Sequence, residues 1–327
     1  MVTLRKSENA MIPFYSASDI RSHLPMAECM DAMAEALGAL SRGDTMQPLR
    51  SVLHLPDRAG ALYVMPAYTG KPRALAVKVI GIFPGNRAKG IATHRGVVLC
   101  IDPDDGGVRA ILDAGALTAL RTAAVSALAT RLLAREDAAE LAILGSGAQA
   151  TPHLEAMHLV RPIRKVRVFS PTRAHLERFV AEMSEAHHIP VSAATTAREA
   201  VEGADIVCTV TSSPQPVLKS EWLKSGVHIN AVGASTPATR EIDTATVRRA
   251  RVFVDQRAAT LAEAGDILLP MREGAIGASA ILGELGELVL GAVKGRTGPE
   301  DLTLFKSLGL AVEDAAAADR VVRNAAG

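Results

Sequence analysis

Two features of this 327-residue chain could do chemistry by residue type and spacing. The first is Gly145-Ser146-Gly147-Ala148-Gln149-Ala150, which follows the apolar run Leu141-Ala142-Ile143-Leu144 and opens a helical pattern. A G-x-G-x-x-A turn between a buried strand and a helix suits a pyrophosphate. The first glycine permits the tight turn, the second lets the backbone approach the phosphates, and the small last residue lets the helix pack close to the strand. The helix start adds free N–H groups and a partial positive charge. The competing reading is a glycine turn that merely joins two elements. The strand before it and the βαβ pattern after it favour the nucleotide. The second feature is a pair of cations in apolar company. Arg121 lies in an Ala/Leu helical stretch, an expensive place for an unpaired charge. Its neighbours Leu120, Thr122, Ala123 and Ala124 argue against a snorkelling surface arginine. Lys78 lies in Ala74-Leu75-Ala76-Val77-Lys78-Val79-Ile80, on the same strand face as Ala76 and Ile80. It sits either at a rim or buried for a purpose.

The strand after the glycine loop decides which dinucleotide is preferred. An acid at its end would hydrogen-bond the ribose 2′-hydroxyl of NAD. Here Ser170 takes that place, followed by Thr172 and Arg173. A missing acid beside a guanidinium favours the 2′-phosphate of NADP. NADPH is therefore the preferred cofactor, with NADH possible. The competing reading makes Arg173 a solvated first-turn residue.

The elements that must position these groups fall into two patterns. Residues 51–55, 60–65, 74–82, 96–102 and 108–112 read as strands separated by turns, which predicts an antiparallel sheet. A helix over 25–40, closed by Gly43, precedes them. From about residue 115 helices alternate with short apolar strands: helix 116–133, strand 141–144, helix 148–159, strand 165–170, helix 173–187, then strands 206–209, 227–232 and 252–255. That order predicts a doubly wound parallel sheet covered on both faces. The fold class is thus α/β, a Rossmann sheet plus a second, α+β domain. The expected division places residues 1–124 in that second domain, joined by 303–327, and 125–302 in the dinucleotide domain.

Composition removes several function classes. The net charge is +1 with acids and bases interspersed, so nucleic-acid binding has no electrostatic footprint. No apolar run is expected to reach membrane-spanning length. Arg5 and Lys6 precede no apolar stretch within residues 1–14, so no signal peptide is expected. Cys29, Cys100 and Cys208 are isolated in apolar surroundings, which predicts buried reduced thiols, a cytoplasmic setting, and neither disulfide nor metal site. His94 is placed between strands where a substrate is within reach, though a role-free loop histidine is the commoner outcome. His153 and His228 read as structural.

Several segments together carry a family resemblance: Met65-Pro66, Lys78 with Phe83-Pro84-Gly85-Asn86, Leu117-Thr118-Ala119-Leu120-Arg121-Thr122, the glycine loop, Asn230-Ala231-Val232-Gly233-Ala234, and the stretch from Leu304 to Asp314. They resemble the ornithine cyclodeaminase/mu-crystallin family over about residues 48–318. The resemblance implies a Rossmann domain, an N-terminal substrate domain that also forms a homodimer, and a C-terminal helix returning to it. It assigns Arg50, Lys78 and Arg121 to the substrate carboxylate, and Thr122, Thr209, Val232 and Lys306 to the cofactor, with Ser307 beside Lys306. Glu313 and Asp314 would cap or orient the final helix. Burial of Lys78 beside two arginines would lower its pKa below the reference of about 10.4, which makes it the first candidate for general acid.

Members of the family differ in chemistry, and two departures discriminate. The cyclodeaminases carry acids where this chain has Ser235 and Tyr63. With cations for a carboxylate and no anion for a second amine, the site suits a cyclic imino acid. The expected reaction is reduction of Δ1-pyrroline-2-carboxylate or Δ1-piperideine-2-carboxylate to L-proline or L-pipecolate. The alternatives are an open-chain amino-acid dehydrogenase or cyclodeaminase, and a non-catalytic ligand-binding protein of the crystallin kind.

Overall fold

The computed structural model describes residues 11–57 and 59–327, so the reading made on Arg5 and Lys6 lies outside it. The strand-rich first part of the chain forms a sheet of β1 (Phe14–Tyr15), β2 (Thr45–Met46), β3 (Ser51–His54), β4 (Ala61–Gly70), β5 (Arg73–Ile82), β6 (His94–Ile101) and β7 (Val108–Asp113). Its order is β1-β7-β6-β5-β4-β2, with β3 also on β4. β4 to β7 form an antiparallel meander, and β1 is parallel to β7. Alternation along β5 turns Ala74, Ala76, Lys78 and Ile80 to the buried face. The register sets Lys78 between Met65 and Val98.

The short apolar runs form the second sheet: β8 (Glu140–Leu144), β9 (Lys165–Phe169), β10 (Val191–Ala193), β11 (Ile206–Thr209), β12 (His228–Ala231), β13 (Arg251–Val254), β14 (Ile281–Glu284) and β15 (Thr303–Lys306). All pairs are parallel, in the order β10-β9-β8-β11-β12-β15-β13-β14. The chain moves outward from β8 through β9 to β10, then returns to the other flank of β8 as β11. That reversal opens a crevice at the carboxyl ends of β8 and β11.

Two expectations change. The sequence places residues 303–327 with the first domain, but residues 303–306 form β15, inserted between β12 and β13. Its four residues are all buried, as a strand covered on both faces requires. The return is made by the helix Ala311–Ala326, which packs on β4, β5 and the helix Met26–Arg42. Helix Ala114–Leu133 is also long and apolar enough by length and composition to cross a membrane, contrary to the expectation of no such run. It is a core helix: most of it is buried, and it packs against helices Met26–Arg42 and Ala150–Val160. It starts at an Asp113 cap whose side chain accepts from the Ala116 N–H, and it runs unbroken past residue 124 beside both sheets.

Candidate active site

The cations converge from separate elements onto the turn after β15 and the first turn of the C-terminal helix. Lys78 comes from β5, Arg121 from the long helix, and Arg50 from the segment before β3. Lys78 and Arg121 are each only 3% exposed, a burial that demands partners. Asp314 supplies them: its Oδ2 lies 2.6 Å from Lys78 Nζ and its Oδ1 accepts from Arg121 Nε at 2.9 Å. Arg121 Nη1 donates to Glu313 Oε2 at 2.8 Å.

Gly309 joins the arginines. Arg50 Nη2 donates to its carbonyl at 2.9 Å and to that of Leu308 at 3.3 Å, and Arg50 Nε pairs with Glu263 at 2.9 Å. The Gly309 N–H is held by Asp255 Oδ2 at 2.9 Å. Its φ is +77°, and a Cβ there would lie 2.3 Å from Arg121 Nη1. Only glycine lets the backbone and the guanidinium meet this closely. Arg121 Nη2 and Arg50 Nη1 have no hydrogen-bond acceptor among the described residues.

Burial and charge set the protonation states. Burial, helped by Arg121, lowers the Lys78 pKa to about 8 against the pull of Asp314. Burial raises Glu313 to about 7, against Arg121 and with Asp255 and Asp314 adding to the rise. Burial also works against charge on Asp314, but Arg121 and Lys78 outweigh it and hold that carboxyl below its ordinary value. Arg121 is buried too, and its two carboxylates raise its pKa regardless. Tyr63 sits close enough to Arg50 and Glu263 to feel both charges, with burial the larger influence raising its hydroxyl. For His94, its surroundings first and Lys78 second lower the pKa.

The glycine loop lies at the crevice. Gly145 has φ +111°, and a Cβ there would stand 2.8 Å from the Val210 carbonyl, so the loops after β8 and β11 touch. Gly147 is exposed, with open space where a Cβ would go, which leaves room for an approaching phosphate. Ser146 is half-buried and Ala148 exposed, while Ala150 is fully buried at the helix start. Gln149 Oε1 is a buried acceptor with no hydrogen-bond partner among the described residues. Ser170 is half-buried past β9, and Thr172 is exposed at the cap position before the helix Arg173–His187. Arg173 is 86% exposed and pairs with Glu177 at 2.7 Å. Thr122 is buried next to Arg121, and Val232 is half-buried just beyond β12.

Lys306 does not stand free at the cofactor face. It is fully buried, with its ammonium against Asp266 at 2.9 Å and the carbonyls of Ala234 at 2.5 Å and Ala231 at 3.3 Å. Those contacts occupy its three donors. Asp266 in turn accepts from the N–H groups of Glu241 and Ile242. Glu241 then accepts from Thr209 Oγ1, from the Thr211 N–H and hydroxyl, and from the Gly233 N–H. Thr209 is thereby fully buried and turned to this acid. The chain Lys306–Asp266–Glu241 ties down the loops at the carboxyl ends of β11 and β12. Sequence reasoning missed the part played by Glu241, Asp255, Glu263 and Asp266, and underrated Glu313 and Asp314. The available signal was an acid inside an apolar stretch, as in Val252-Phe253-Val254-Asp255 and Leu310-Ala311-Val312-Glu313-Asp314.

A profile of the ornithine cyclodeaminase/mu-crystallin family matches residues 11–327. The chain belongs to that family. It is 39% identical over 312 residues to the ketimine reductase mu-crystallin of Mus musculus, covering 94% of this chain and 96% of that one. A solved structure of Thermococcus litoralis Δ1-pyrroline-2-carboxylate reductase, in complex with NADH and L-proline, superposes with TM-score 0.94 at 37% identity, covering 96% and 98% of the two chains. An archaeal alanine dehydrogenase dimer with bound NAD gives 0.90 at 31%, covering 96% of each chain. The likeness to these solved structures confirms the α/β Rossmann class, and the chain is an oxidoreductase.

Proposed function

We propose that this family member reduces a cyclic ketimine acid, Δ1-pyrroline-2-carboxylate or Δ1-piperideine-2-carboxylate, to L-proline or L-pipecolate, with NADPH preferred over NADH. The observation that carries the reading is the convergence of Lys78, Arg121 and Arg50 on Gly309 and Asp314. Tyr63 and Ser235 stand where a diamine site would need acids. The named activities of the mouse and Thermococcus relatives support it.

The glycine loop fits a dinucleotide: Gly147 is open, Gly145 is tight on the next loop, and Gln149 Oε1 awaits a donor. Gly145 to Ala150 would hold the pyrophosphate, and Ser170, Thr172 and Arg173 would meet the ribose substituent. When bound, the dihydronicotinamide supplies the hydride to the imine carbon. The remaining work belongs to side chains. Arg121 Nη2 and Arg50 Nη1 are the donors left for the substrate carboxylate, and two guanidinium contacts fix its orientation. Lys78, with a pKa of about 8, is protonated at neutral pH yet acidic enough to give its proton to the imine nitrogen. Hydride at carbon and proton at nitrogen convert C=N to CH–NH.

The exposed apolar side chains of Met46, Leu49, Val52, Leu53 and Leu62 lie on and beside β3, all four residues of which are exposed. We assign this surface to a homodimer, the assembly named for the archaeal relative.

The deciding experiment is spectrophotometric oxidation of NADPH and NADH with each cyclic imine and with pyruvate plus ammonia, beside a separate assay of proline and ammonia formed from ornithine with oxidised cofactor, a conversion that consumes no net reductant. Turnover of ornithine to proline without turnover of cyclic imines would overturn the reading.

A further inference from the structure

We propose that Asp314 is a positioning residue, holding the Lys78 ammonium protonated and aimed for proton transfer; this rests on the ketimine-reductase reading. Among the described residues, Asp314 is the one carboxylate in contact with both Lys78 and Arg121, through opposite oxygens at 2.6 and 2.9 Å. It is 1% exposed, so neither contact is diluted by water. The C-terminal helix that carries it packs on β5, which carries Lys78, and on the long helix, which carries Arg121. Each oxygen is thus committed to a cation on a different element. A lysine with four rotatable bonds would otherwise leave its ammonium unfixed.

The surroundings show why an anion is needed. Arg121 from the long helix and Arg50 from the segment before β3 both disfavour charge on Lys78, as does burial, and His94 faces it from β6. Asp314 is the opposing influence, by charge and by hydrogen bond. Its neighbour Glu313 touches Arg121 but, among the described residues, Lys78 does not meet it and Glu313 Oε1 has no hydrogen-bond partner. The adjacent acids therefore differ in role. Asp314 joins the lysine to the arginine, while Glu313 meets only the arginine.

The test uses the full-length protein with Asp314→Asn and Asp314→Glu. Titration of lysine ¹³Cε resonances by NMR reads Lys78 without any substrate. The wild-type midpoint is expected at about 8. In Asp314→Asn it should fall by at least about one unit, the usual size of an adjacent ion-pair effect. An unchanged midpoint would overturn the inference, whatever substrate the enzyme reduces. In turnover with a cyclic imine, the alkaline limb of kcat should move down with the NMR midpoint. Asp314→Glu keeps the charge but shifts it by a methylene, and about a hundredfold loss of kcat with unchanged NADH affinity is expected. If Asp314→Asn does not fold, Asp314→Glu alone decides: wild-type kcat in that variant refutes a positioning role. Loss of thermal stability with kcat and midpoint unmoved would show Asp314 to be structural only. Absence of cyclic-imine turnover in the wild type would refute the reaction assigned above, and the NMR midpoint would still judge Asp314.

Discussion

At the scale of single residues, the Gly309 peptide ties the charged groups of the site together. Its N–H, carbonyl and Cα each meet a different charged group: Asp255, Arg50 and Arg121. Gly309→Ala puts a Cβ into the Arg121 guanidinium and strains a positive φ, so substrate KM should rise by about tenfold or more while cofactor binding is retained. Equal loss of both would point to general misfolding instead. Lys78→Met should lower kcat by about 10²- to 10⁴-fold, the usual worth of a positioned acid. Undiminished activity in that variant would remove Lys78 from the chemistry. If Lys78 donates the proton as proposed, kcat of the wild type should be level below its pKa of about 8 and fall as pH rises above it. A profile that instead rose through that range would reverse the assignment. Glu313 predicts a stability effect of its own. Its folded pKa of about 7 lies above the ordinary 4.5, so its contribution is full below pH 4.5 and is lost as pH rises through 7. Glu313→Gln should flatten the fall in Tm between pH 5 and 8, by calorimetry.

At the scale of elements, the parallel sheet separates holding the cofactor from choosing it. The loop after β8 is shaped by backbone, with Gly145 and Gly147 leaving little side chain in the way. On the proposed reading, discrimination between NADPH and NADH falls to side chains past β9. Arg173 is on the surface and already paired with Glu177, so a 2′-phosphate would have to replace that partner. Charge-assisted hydrogen bonds contribute roughly 1.5–3 kcal/mol, so Arg173→Ala should raise KM for NADPH about tenfold and leave NADH nearly unchanged. Equal effects on the two would show that Arg173 remains with Glu177.

At the scale of the whole molecule, the exposed apolar strip at β3 predicts a homodimer at micromolar concentration by light scattering. Leu53, 64% exposed, is the residue to test. Leu53→Asp should shift the particle toward monomer, since burying a charge in an apolar interface is costly. A wild-type monomer would remove the assignment of this surface. The sequence alone determined the parts that depend on local pattern. Period-two alternation placed Lys78 on a buried strand face, a strand–glycine–helix run marked the nucleotide loop, and Arg121 among alanines and leucines announced a buried charge. These are consequences of side-chain spacing on one element, so neighbouring residues suffice to reveal them. Only the tertiary structure decided that β15 sits inside the parallel sheet, that Lys306 is spent on Asp266, and that Glu313 and Asp314 are the counter-ions of the site. Each of these pairs residues far apart in the chain: 193 positions separate Arg121 from Asp314. Burial of a charge shows in sequence that a partner must exist, but which of several buried acids fulfils the need depends on how the helices and sheets stack.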